Sequence, residues 1–111
     1  MADSNEAKVF VDFIRDVAVM HSRHEAILEH KRAGLNVALN AMDDKEIEKA
    51  RFEVIEAFSA SIDAYIQMHK RLEALKTQVS PWAIVSVVIL IGPEDAQGLT
   101  VVHLLNRVNL N

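Results

Sequence analysis

Residues 45–79 read KEIEKARFEVIEAFSASIDAYIQMHKRLEALKTQV, an unbroken run without a glycine or a proline. Apolar side chains recur at Ile47, Val54, Ile55, Phe58, Ile62, Tyr65, Met68, Leu72, Leu75 and Val79. These spacings are built from steps of three and four, the period of an amphipathic helix. Glu, Lys and Arg occupy the other positions of KEIEKARFEVIE and read as a solvated face. This stretch decides the fold class: it predicts one long helix over residues 43–79. Asp43, with Glu46 three residues on, has the spacing of a helix-capping pair.

Immediately upstream, Met42-Asp43-Asp44 is the expected turn. Before it, residues 3–41 predict a first long helix. Asp3 and Glu6 repeat the capping spacing. Phe10, Phe13, Ile14, Val17, Met20, Ile27, Leu28, Leu35 and Leu39 then form its apolar stripe. Gly34 interrupts this stripe at a cost of about 1 kcal/mol relative to Ala, and is expected to mark a close helix contact or a bend. A short turn between two long helices favours an antiparallel hairpin. Two helices alone leave much apolar area uncovered, which a homodimer would cover.

Downstream, residues 80–111 differ in kind, with Glu94, Asp95 and Arg107 as their only acidic or basic side chains. Ser80-Pro81 has the form of a helix start. Yet AIVSVVILI and LTVVHLL, joined through GPEDAQG, are rich in β-branched residues, so short helices and a β-hairpin compete. The expected class is mainly α: a single domain made of an antiparallel hairpin of long amphipathic helices and an apolar C-terminal segment.

Composition narrows function. Of 111 residues half are hydrophobic, with three Gly, two Pro and no Cys. Such a chain is too apolar for disorder and too poor in turn residues for a β-sandwich. The missing cysteines, an acidic start in MADSNEAKVF and an apolar run, Trp82 to Ile91, too short to cross a bilayer predict a cytoplasmic protein without a membrane span. A net charge of −4 and the absence of a basic patch argue against direct nucleic-acid binding.

The candidate chemistry is sparse. His21 and His24 lie three apart with Glu25 alongside, but the order HSRHE is neither Glu-x-x-His nor His-Glu-x-x-His. A polar seam between helices is the expected role, without a metal or a cofactor. His69, on the apolar face with Tyr65 and Leu72, and His103, in the apolar segment, are expected in a core or an interface. His30, between Glu29 and Lys31, is expected to be exposed. No Gly-flanked serine and no phosphate-cradling glycine loop is present, so no enzymatic activity is expected. Protein binding is the expected function, with Trp82, Ile84, Val85, Val88 and Ile89 as candidate apolar contacts.

Within SIDAYIQMHKRLEALKTQVS, residues 61–80, the run Ile62, Ala64, Ile66, Met68, His69, Ala74, Leu75 and Thr77 resembles the C-terminal helix of the TraM family of quorum-sensing antiactivators. The resemblance covers about a fifth of the chain, and Met68-His69 is its most distinctive part. It implies a small helical protein that binds a LuxR-type transcriptional activator and blocks its dimerisation or DNA contact. It also implies that Met68, His69 and Leu72 contribute to partner binding. An antiactivator of separate ancestry, an accessory or phage-encoded inhibitor of another bacterial protein, and a self-assembling structural protein would look alike at this level.

Overall fold

A computed structural model describes residues 2–80, 87 and 90–107, with side chains described from residue 5 onward. Helix α1 spans Ala2–Ala41, α2 spans Asp44–Gln78, a 3-10 turn spans Pro93–Asp95 and helix α3 spans Ala96–Arg107. No strand occurs among the described residues. The β-hairpin alternative therefore fails for residues 93–107. There Gly98, Val101, Val102 and Leu105 take the i, i+3, i+4, i+7 spacing of a buried helical face.

The α1–α2 turn forms where the sequence predicts it. Met42 adopts a left-handed φ of 56°, and its N–H donates to the Leu39 carbonyl at 3.2 Å. Asp43 caps α2: its Oδ1 accepts the N–H groups of Lys45 and Glu46 at 3.1 and 3.3 Å. These bonds satisfy donors that the first helical turn leaves without intrahelical partners.

The chain divides into two compact units, Met1–His21 with Tyr65–Asn111, and Ser22–Ala64. The first unit contains a true hydrophobic core. Phe10, Phe13, Ile14 and Val17 of α1 pack with Leu72 of α2, Val79, Val87, and Val101, Val102 and Leu105 of α3. Pairings of Asp16 with Arg71 at 3.2 Å and of His21 with Tyr65 show that the α1 and α2 segments run antiparallel here. Arg71 also lies over the Phe13 ring, 5.0 Å from its centroid.

Polar contacts hold α3 in this unit. Asp95 is buried; its Oδ1 accepts Arg15 Nε at 3.0 Å and its Oδ2 accepts the Gly92 N–H at 3.1 Å. The Arg15 side chain and that backbone donor hold the Asp95 carboxyl below its ordinary pKa. Lys76 Nζ donates to Asn106 Oδ1 at 2.7 Å near the end of α3. Gly98 allows α3 to approach α1 closely. A Cβ there would collide with the Ile14 carbonyl oxygen and lie 3.0 Å from Ile14 Cγ2 and 3.1 Å from Ala18 Cβ. The expected cap at Asp3 is not the helix start, because α1 begins at Ala2; Glu6 Oε2 instead accepts the Ser80 N–H at 3.0 Å.

The Ser22–Ala64 unit is a helical hairpin of another character. Its α1 seam is His24, Leu28, Lys31, Leu35 and Ala38, with alternating steps of four and three. Its α2 seam is Ile47, Ala50, Val54, Ala57, Ser61 and Ala64, with alternating steps of three and four. All these residues are buried or half-buried. A 3–4 alternation is the repeat of coiled-coil packing, and small side chains let helix axes approach. Lys31 reaches Glu53 at 3.8 Å beside this seam.

Candidate protein-binding surface

Ala38, Ala57 and Ser61 are the most deeply buried positions of the Ser22–Ala64 hairpin, and several of its large apolar groups lie outside. On α2, Phe52 is 62% exposed, Ile55 61%, Phe58 56% and Ile62 44%. Phe52, Ile55, Ser59 and Ile62 follow steps of three, four and three, a second heptad-like seam rotated away from the inner one. Phe58 borders it. Ile27, Val37 and Leu39 of α1 and Met42 of the turn are exposed as well. Isolated exposed hydrophobes are ordinary, but a contiguous stripe of large ones is a feature of binding surfaces.

This corrects the expected α2 stripe. Ile55, Phe58 and Ile62 belong with the core residues by periodicity, yet they face solvent, while Ala57 and Ser61 take the interior positions. Large side chains at neighbouring angles spread the apolar signal over two faces. A reading that treats Ala and Ser as neutral merges them. The run Ala50, Ala57, Ser61 and Ala64 lies along the inner seam, but periodicity alone does not rank it above the face of larger residues. Phe52, within the expected solvated face, belongs to the exposed stripe.

The residues expected to bind a partner are placed differently. Leu72 lies in the interior of the Met1–His21/Tyr65–Asn111 unit at 2% exposure, so it has almost no surface to offer. His69 is also buried, with Nε2 3.7 Å from Glu73 Oε1, and Met68 is half-buried against the same core. Trp82, Ile84, Val85, Val88 and Ile89 lie outside the described residues.

Other histidines divide by environment. His21 is half-buried and hydrogen-bonds the Tyr65 hydroxyl, and His24 is half-buried in the inner seam, the polar-seam role expected of this pair. His30 is exposed, as expected. His103 is exposed too, against expectation: the core face of α3 is set by Gly98, Val101, Val102 and Leu105, and residue 103 falls off it. Among the described residues no group of three or more His, Asp or Glu side chains is arranged to hold a metal ion. Ser22, Glu25, Ala26 and Glu29 line an open surface hollow on α1. No helix of the described residues is long and apolar enough to cross a membrane.

The chain matches no protein-family model, no curated protein and no solved structure.

Proposed function

We propose that this chain is a non-enzymatic protein-binding module that works through the outer face of the Ser22–Ala64 hairpin. The observation that carries this reading is the inversion of that hairpin, with Ala57 and Ser61 inside and Phe52, Ile55, Phe58 and Ile62 outside. Helix-on-helix docking is the recognition mode that such a stripe fits, with anchors at three- and four-residue spacing. The partner that the TraM resemblance implies is a LuxR-type transcriptional activator, held so that it cannot dimerise or reach DNA. The mechanism is steric: apolar anchors cover a surface that the activator needs, and no bond is made or broken.

The test is affinity capture from bacterial lysate with the tagged chain and with an Ile55→Asp/Phe58→Asp variant, followed by mass spectrometry. The expected result is a LuxR-type regulator in fixed ratio with the wild type, lost with the variant while circular dichroism stays helical. A single different client lost with the same variant would keep the surface and reject the activator. Capture that survives the variant would remove the stripe from the binding surface.

A further inference from the structure

We infer that, in the free protein, the α2 stripe is covered by a second copy of this chain, packed antiparallel about a two-fold axis near residue 57. The inference rests on the reading of this stripe as a binding surface and names what occupies it when no client is present.

Area is the first argument. With roughly 200 Å² for an aromatic side chain and somewhat less for isoleucine, Phe52, Ile55, Phe58 and Ile62 leave on the order of 400 Å² in solvent at their observed exposures. One side of a standard interface covers about 800 Å², of which rather more than half is apolar. The stripe of one copy thus supplies about the apolar share that one side of a stable dimer needs. A two-fold contact uses the same patch on both copies, so one stripe meets the other.

Charge is the second argument, and it selects the orientation. The midpoint of the stripe lies between residues 56 and 57, so an antiparallel two-fold there sets residue i beside the partner position near 113 − i, each residue advancing about 1.5 Å along the axis. Lys49 then falls within about one residue of the other copy's Asp63, and helical spacing puts both on the same flank of the stripe. The two-fold makes this pairing twice. A parallel arrangement would instead bring Lys49 toward Arg51 of the other copy, a like-charge contact. The antiparallel arrangement carries one unfavourable contact: Glu56, on that flank, meets Glu56 across the axis. Lys49, Arg51, Glu56 and Asp63 are all exposed.

The experiment is sedimentation velocity on the purified full chain over a wide concentration range, with variants whose helicity is checked by circular dichroism. The wild type is expected to be a dimer that dissociates on dilution. Phe58→Asp should weaken it at least about thirtyfold, because it sets a charge at the border of the apolar seam near the two-fold axis. Glu56→Gln should tighten it about twofold to fivefold by removing the like-charge contact. Lys49→Asp and Asp63→Lys should each weaken the dimer, and the double exchange should restore it. These surface changes do not touch the inner seam, so they remain informative if Phe58→Asp fails to fold.

A wild type that stays monomeric, or a dimer indifferent to Phe58→Asp, overturns the inference. Failure of the double exchange to restore association overturns the antiparallel pairing. A monomer that still captures a client through Ile55 and Phe58 rejects the second copy and leaves the proposed function standing. A stripe-dependent dimer whose stripe variants still capture the client does the reverse.

Discussion

A methyl group added at Gly98 would run into the Ile14 carbonyl, whereas one added at Gly34 would meet nothing within 4 Å. The two glycines therefore predict opposite outcomes for the same substitution. Gly98→Ala forces α3 away from α1 and should lower stability by about 1–3 kcal/mol, the usual cost of overpacking. Gly34→Ala removes excess backbone freedom from an exposed helix interior and should raise stability by about 0.5–1 kcal/mol. Urea denaturation of both variants checks the pair. Of the close contact or bend expected at Gly34, no close contact is found among the described residues, and the close contact that exists is at Gly98, in a segment whose composition left strand and helix in competition. Spacing identifies a glycine in a helix, but which neighbour presses on it depends on a helix distant in sequence.

Element ends behave as local chemistry dictates. Asp43 caps α2 through two backbone donors, and Asp43→Ala should cost about 1 kcal/mol. Met42 ends α1 with a φ of 56° while its side chain is 83% exposed. Glycine adopts that conformation without a Cβ penalty, so Met42→Gly should stabilise the hairpin by about 0.5–1 kcal/mol in thermal denaturation. The latch between Asp95 and Arg15 adds a pH dependence. Asp95 titrates below its ordinary range in the folded chain. Its contribution is therefore complete above the unfolded pKa and is lost as pH falls through the folded one. The melting temperature should fall as pH drops from about 5 to about 3, and Asp95→Asn should flatten that part of the curve. If the variant shows the same acid slope as the wild type, the slope belongs to other carboxylates.

At the scale of the whole molecule, apolar burial is uneven. The clustered core of Phe10, Phe13, Ile14, Val17, Leu72, Val101, Val102 and Leu105 belongs to one unit, while in the Ser22–Ala64 hairpin only the small residues Ala38, Ala57 and Ser61 are fully buried and Leu28, Leu35, Ile47 and Val54 are half-buried. Burying an alanine removes far less apolar surface than burying a phenylalanine, so the hairpin gains less from its own packing. Amide hydrogen exchange should find the helical amides of 22–64 opening at lower free energy than those of α1 residues 10–20 and α2 residues 68–75. Raising protein concentration, or adding a client, should slow exchange across Phe52–Ile62 more than elsewhere, because a bound partner stabilises the state it binds. Equal protection in both units at high dilution would contradict this account of where stability resides.

By itself the sequence determined the helical class, the two long helices, the turn at Met42–Asp44 and the Asp43 cap, because each depends on period, propensity or a side chain reaching its own backbone. It also marked the first core stripe, where Phe10, Phe13, Ile14 and Val17 are large and lie on one face. Tertiary structure alone decided which face of α2 turns inward along residues 47–64. Both faces carry helical periodicity there, and the choice rests on how closely two backbones approach over Ala57 and Ser61. It also placed His69 and Leu72 inside, and left Phe52, Ile55, Phe58 and Ile62 outside. Burial is a property of what lies opposite a side chain, and a linear pattern does not contain that neighbour.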